Sequence, residues 1–317
     1  MLILPRRGAN YTDKPRIWGP LLAVQSNVKH QCDAMGLPHF GTYLAMWEYA
    51  GTIVHDYGLK ESGYWSFNPS NLPSWGSCLD GTGVVFDNTQ NTVPPLLPNS
   101  GNDSYWRDAI PAITVGLRTS FDGDTGGPIG IWGIGGVANG LSLSYKTSPN
   151  TFSFEIEPNN ESVDTNTTYT PSGQILDIVC VFNGSSMAIY INGQLDSSLE
   201  PVADAPDSNA VDPEVGLADS QTASGDEWGG VMTQWWTVRQ GLTADQVALL
   251  HEQPYRMLYP AKRTFYSLPP ETPSGGKGGS QLITISQLWP LMPLVGAVRN
   301  PKLTKREWLN PWNWLKK

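Results

Sequence analysis

Two Asn-Gly dipeptides nine residues apart, Asn183-Gly184 and Asn192-Gly193, interrupt the stretch DIVCVFNGSSMAIYINGQLDSS. Asn-Gly between apolar runs is the strongest short signal for a β-hairpin. A type I′ turn requires positive φ at both central residues, and these two residue types reach it most readily. Between the turns, Met187, Ile189 and Ile191 alternate with Ala188, Tyr190 and Asn192. That period of two belongs to a strand with one face on a core. Ile175 to Phe182 is apolar almost throughout and partly β-branched, the pattern of a central strand. The stretch predicts an antiparallel meander, and any fold the chain adopts has to contain it.

The remainder repeats this vocabulary. GTYLAMWEYAGTIVHDYG from Gly41, GTGVVFDNTQ from Gly81, AITVGLRTSF from Ala112, LSLSYK from Leu141 and TFSFEIE from Thr151 all read as strands. So do VGLAD from Val215 and WGGVMTQWWTVRQ from Trp228. A total of 33 Gly and 26 Pro suits many short strands joined by turns. One helix stands out, LTADQVALLHEQP, with Thr243 as N-cap, Gln246 three residues on as in a capping box, and Pro254 closing it. The expectation is an all-β, two-sheet antiparallel jelly-roll sandwich with one short C-terminal helix and extended terminal arms. Residues 1–40 read as a loop-rich N-terminal arm, 41–268 as the sandwich and 269–281 as a Pro/Gly linker, leaving 282–317 as an aromatic, basic tail.

Charge divides the chain. The net charge of −9 separates into +5 for residues 271–317 and −14 for everything before them. An acidic body argues against nucleic-acid binding by the main domain. The tail carries Trp289, Trp308, Trp312 and Trp314 with Arg299, Lys305 and Arg306. It is too short and too broken by proline to bury those rings itself, so it is expected to dock on a partner. Cys32, Cys78 and Cys180 are too few and scattered for a disulfide framework or zinc cluster. MLILPRRGAN lacks the order and length of a signal peptide, and no window reaches the length of a membrane span. Asn102, Asn160, Asn166 and Asn183 begin Asn-x-Ser/Thr triplets, which carry little weight without such a signal. No HxH, HExxH or nucleophile motif is present.

With 13 Trp and 12 Tyr the chain has material for sugar stacking, although a sandwich core uses the same rings. Trp228, Trp235 and Trp236 on the last strand are the candidate glycan-binding residues. Trp235 and Trp236 are adjacent and so point to opposite faces, one of them into the core.

Taken in order, GTIVHDYG, GTGVVFDNTQ, AITVGLRTSF, the double Asn-Gly meander and EWGGVMTQWWTVRQGLTADQVALLHEQPYRMLYP resemble the laminin-G-like branch of the concanavalin A-like lectin/glucanase superfamily. The likeness runs from about Gly41 to Phe265. It implies a concanavalin A-like sandwich and says little about role, because the fold hosts many. Glucanases of the superfamily place paired acids on one strand. Here only FEIEPNNE offers Glu155, Glu157 and Glu161, and Pro158 breaks the spacing, so no catalytic residue is assigned and a non-enzymatic protein is expected. Some laminin-G-like domains bind Ca2+, which makes Asp122, Asp124, Asp219 and Asp226 candidate metal ligands, with no cofactor required. The two ends, MLILPRRGANYTDKP and LHEQPYRMLYPAKRTFYSLP, are similar to the ends of laminin-G-like proteins encoded by bacteriophages and prophages. That likeness implies a virion component, present in many copies or as a homo-oligomer, attached to capsid or tail proteins by its C-terminal tail and displaying the sandwich to a host-surface glycan. The alternative is a free carbohydrate-binding lectin-like protein or a glycan-acting enzyme.

Overall fold

The computed structural model describes residues 17, 21–48, 53–59, 64–66, 74–86, 97–98, 110–121, 129–134, 140–156, 161–202, 206, 214–216 and 229–259. The chain separates into two units, Met1–Arg263 and Thr264–Lys317, and every described residue lies in the first.

The double Asn-Gly stretch forms the predicted meander. Strands β12 (Gln174–Phe182), β13 (Met187–Ile191) and β14 (Gln194–Leu199) pair antiparallel in that order. At the second turn Asn192 and Gly193 both take positive φ, 51° and 76°. Beyond β12 the sheet continues through β7 (Ile113–Phe121) to β16 (Gly230–Val238). The far edge of β16 is shared. Its first residues pair with β5 (Gly81–Phe86), which pairs with β4 (Ser74–Cys78), and its later residues pair with β1 (Thr42–Ala45).

A second antiparallel sheet has the order β11 (Glu161–Asp164), β10 (Thr151–Ile156), β9 (Leu141–Lys146), β8 (Ile129–Ile134), β15 (Glu214–Val215). A small third sheet joins β2 (Ile53–His55), β3 (Tyr64–Ser66) and β6 (Leu97–Pro98). Its anchor is Asp56 in GTIVHDYG, fully buried, which accepts from Tyr43 N at 2.9 Å, Gly58 N at 2.8 Å and Trp65 Nε1 at 3.1 Å. A buried carboxylate is tolerated when donors surround it in this way.

Alternation sorts each strand into two faces. Val115, Leu117 and Phe121 of β7 and Leu176, Ile178 and Cys180 of β12 meet Leu143, Tyr145, Phe152 and Phe154 of the second sheet in one apolar cluster. This is the core of a sandwich, with Phe121 packed on the edge of Tyr145 at 4.7 Å between centroids. The opposite face of the large sheet is also buried. Val179, Val181, Tyr190, Trp236 and Val238 form a second cluster with two helices, α1 (Leu21–Met35) and α2 (Ala244–Glu252).

Helix α2 is the predicted one, with its capping box formed: Thr243 Oγ1 accepts from Gln246 N at 3.3 Å and Thr243 N donates to Gln246 Oε1 at 3.0 Å. Helix α1 corrects the reading of residues 1–40 as a loop-rich arm. Val24, Val28 and Cys32, four residues apart along one helical stripe, are buried against the sheet side. Gln25 donates to Gly58 O at 2.8 Å and Gln31 to Tyr259 O at 3.0 Å, so the helix is tied at both levels.

Candidate functional site

The two sheets differ in what their outer faces present. Helices cover that of the large sheet, whereas the face of the second sheet turned away from the core carries short polar side chains, half-buried or exposed at Ser142, Ser144, Glu155, Ser162 and Asp164 and buried at Gly130, Gly133, Thr151 and Ser153. Register builds it in rows. Gly133, Ser142, Glu155 and Ser162 lie across four strands, and Gly130, Ser144, Ser153 and Asp164 lie across the same four. Lys146 and Thr151 stand opposite each other at the end of the β9–β10 hairpin. Two glycines and three serines leave the middle of this face low, and one charged ridge rises from it. Lys146 Nζ lies 2.9 Å from Asp164 Oδ1 and 3.5 Å from Glu155 Oε1, with all three side chains between about a quarter and a half exposed. Ser153 is fully buried and donates to Glu155 Oε1 at 2.8 Å.

Thr151 is the outlier on this face. It is 4% exposed, and its hydroxyl has no hydrogen-bond partner among the described residues. A buried hydroxyl left unpaired costs about 1–3 kcal/mol.

A second polar cluster lies under α2. Arg118 on β7 has Nη1 at 2.7 and 2.6 Å from the two oxygens of Asp177 on β12, and its Nε lies 3.1 Å from Asp80 Oδ2, an ion-pair contact whose angle falls short of a hydrogen bond. Asp177 also meets His251 of α2, and Asp80 accepts from Thr233 at 2.9 Å and from Tyr255. Burial alone would lower the Arg118 pKa, but Asp177 and Asp80 reverse this and hold the guanidinium charged. Burial, then the adjacent Asp80 carboxylate, pushes the Tyr255 phenol well above its ordinary value. Every group is engaged by another, and Tyr255 is fully buried, so the cluster clamps helix to sheet. Beside it lies a small cleft lined in part by Tyr43, Asp177, Gln234, Trp236, Leu250 and His251.

The sequence-predicted residues distribute unevenly. Trp235 is fully buried in the inter-sheet core with its ring centroid 5.0 Å from that of Trp65, and Trp236 is 5% exposed on the helix side, 5.2 Å from Phe40. Neither offers a face to a sugar, which corrects their assignment: one ring is buried in the apolar core against Trp65 of the third sheet and the other lies in the helical layer. Trp228 lies outside the described residues, as do Asp122, Asp124, Asp219 and Asp226 and the whole tail with Trp289, Arg299, Lys305, Arg306, Trp308, Trp312 and Trp314. Among the described residues no group of His, Cys, Asp or Glu is placed to hold a metal ion, and no helix is long and apolar enough to cross a membrane. In FEIE, Glu155 faces outward, while Glu161 pairs with Ile156 and so takes the core-side parity of its edge strand. The residues that sequence reasoning missed are Lys146, Asp164, Thr151 and the serines. LSLSYK carries their alternation, but only strand register brings them to Glu155.

Residues 111–248 match the family model described as the concanavalin A-like lectin/glucanases superfamily. The sandwich has the concanavalin A-like fold. By sequence the chain matches none of the curated proteins. Among solved structures, the domain is similar to domain 4 of AbnA, a GH43 extracellular arabinanase from Geobacillus stearothermophilus, in complex with arabinotriose. That alignment has a TM-score of 0.53 and 14% identity over 68% of this chain and 98% of that one. It is also similar to the sialidase of Trypanosoma rangeli in complex with 2,3-difluorosialic acid, with a TM-score of 0.52 and 12% identity over 74% of this chain and 38% of that one. The chain thus spans about two fifths of the sialidase's length. These comparisons overturn the expectation of a non-enzymatic protein. Structures the domain aligns with include those of glycosidases, a sialidase and an arabinanase.

Proposed function

We propose that the concanavalin A-like domain binds carbohydrate on the outward face of its second sheet. Thr151 carries this reading, as a buried hydroxyl without a partner among the described residues, beside the Lys146 ridge on the sheet face that no described helix covers. A sugar supplies hydroxyls that both donate and accept, which suits Ser142, Ser144, the Glu155 and Asp164 oxygens and Thr151 together. A ligand that draws the Lys146 ammonium aside reaches Thr151 one strand away. The likeness to an arabinanase domain whose structure contains arabinotriose, covering nearly all of that domain, supports a glycan as the ligand.

The test is retention of the full chain in polysaccharide gels and on a glycan array. Wild type is expected to be retained. Thr151→Val keeps the shape and removes only the unpaired hydroxyl, so it should weaken binding several-fold while leaving thermal stability unchanged or raised. Ser142→Gln with Ser144→Gln fills the low middle of the face and should abolish retention. Binding unaffected by both variants would sink the assignment of this face.

A second reading concerns where the domain works, and the tail in the sequence favours it. Four tryptophans among basic residues beyond a Gly-rich linker are what an anchoring segment needs, and the chain ends are similar to those of bacteriophage-encoded laminin-G-like proteins. On this reading the domain sits in many copies on a virion, where weak glycan contacts multiply. Mass spectrometry of gradient-purified particles would find the chain at stoichiometric abundance, and deletion of 275–317 would remove it. Ca2+ at Asp122, Asp124, Asp219 or Asp226 is part of the same proposal, and a chelator arm on the array reports whether glycan binding depends on it.

A further inference from the structure

We infer that this face selects uncharged glycans and rejects those bearing carboxylate or sulfate groups, an inference that rests on the glycan-binding reading above. Lys146 is the one cationic side chain on the described face, and it is already engaged. Its ammonium lies 2.9 and 3.2 Å from the two oxygens of Asp164 and 3.5 Å from Glu155 Oε1. Two carboxylates against one ammonium leave the ridge with a net negative charge. The remaining groups of the described face, Ser142, Ser144, Ser153, Ser162 and Thr151, are hydroxyls, and Gly130 and Gly133 add none.

An anionic sugar arriving here meets the oxygens of Asp164 and Glu155 first, and it gains Lys146 only by breaking the contacts that hold it. Like-charge juxtaposition of this kind is how a surface discriminates against a wrong ligand. The charge of the chain outside its tail, −14 before residue 271, acts in the same direction at longer range. A neutral sugar meets no such penalty. Its hydroxyls can donate to Asp164 and Glu155 and accept from the serines, contacts in which no like charges meet.

The experiment uses the full chain against pairs of glycans that share a backbone, one member neutral and the other sulfated, carboxymethylated or sialylated. Wild type is expected to bind the neutral member at least about tenfold more tightly at low salt, with the gap narrowing as ionic strength rises and screens the repulsion. Glu155→Gln with Asp164→Asn releases Lys146, and the ratio of anionic to neutral binding should rise by about tenfold or more. Equal or tighter binding of the anionic members by wild type overturns the selectivity while leaving glycan binding in place. So does a ratio that the double variant leaves unmoved. Failure of every glycan, neutral and anionic, removes the glycan-binding reading and this inference with it.

Discussion

Arg118 is the side chain whose environment is hardest to anticipate from its neighbours. In AITVGLRTSF its alternation with Leu117 places it on the opposite face from the core, which for a lone arginine reads as solvent. The reading of the face is right, but helix α2, Tyr255 and the β4–β5 turn cover that face, so Arg118 is 17% exposed, with Asp177 at 11% and Asp80 at 8%. Replacing it by methionine leaves two carboxylates facing each other with little water. Arg118→Met should therefore cost about 3–5 kcal/mol, read as a lower urea midpoint. Adding Asp80→Asn and Asp177→Asn removes the stranded charges and should restore part of that loss. Failure of the triple variant to recover would show that packing of the guanidinium over Tyr255, rather than charge, is what the site requires. Gly116 two residues earlier has a similar lesson. A Cβ there would lie 2.1 Å from the Trp236 ring, so the strand needs glycine for the indole to lie against its backbone. Adjacent tryptophans on opposite faces were legible in TQWWTV; that both faces are interior was not, because part of the layer over Trp236, Phe40 and helix α1, comes from the far end of the chain.

At the level of elements, the strands and α2 were legible because their signals are local: Asn-Gly turns, a period of two, and a capping box. The cap can be tested directly. Thr243→Ala removes one of two reciprocal bonds and should cost about 1 kcal/mol, within the usual range for such caps. Gln246 also donates to Gly36 O at 3.1 Å, so loosening the first turn of α2 should speed amide exchange at the end of α1 as well. Unchanged exchange at residues 33–37 would show that the two helices are held independently. Helix α1 escaped detection because the buried apolar stripe of LLAVQSNVKHQCDAM is narrow, Val24, Val28 and Cys32 flanked by half-buried Leu21 and Met35, with polar residues of middling propensity between them and no Asp or Glu in its first turn. Its helicity comes from the cluster it completes on the sheet, a tertiary cause that a linear reading does not contain. The candidate site was legible in part for the same reason. FEIE placed Glu155 on an outward face, but Lys146, Asp164 and Thr151 reach it from two neighbouring hairpin arms and the start of its own strand. That arrangement depends on register.

For the whole molecule, the buried phenols set how it responds to alkali. Tyr43 and Tyr255 are 1% and 0% exposed, and burial raises both above their ordinary value of 10.0, with the nearby Asp80 adding to the effect on Tyr255. Each phenol is bonded in its neutral form, Tyr43 donating to Pro254 O at 3.1 Å and Tyr255 to Asp80. Below about pH 10 both folded and unfolded chains hold these protons, and the hydrogen bonds contribute fully. Above it, the unfolded chain releases two protons that the folded one retains, so unfolding gains about 1.4 kcal/mol per pH unit for each group. These two phenols leave the free energy of unfolding flat to about pH 10 and then add roughly two protons to its downward slope, on top of the fall from the other groups that burial raises, the Cys32 and Cys180 thiols and the Tyr145, Tyr169 and Tyr190 phenols. Tyr255→Phe loses the bond to Asp80 and is less stable at pH 7, yet its alkaline slope should be shallower by one proton. Urea unfolding at pH 8 to 11 measures both slopes. An identical slope in the variant would mean that Tyr255 ionises in the folded state, and that the clamp between α2, the β4–β5 turn and the large sheet opens before the sandwich does.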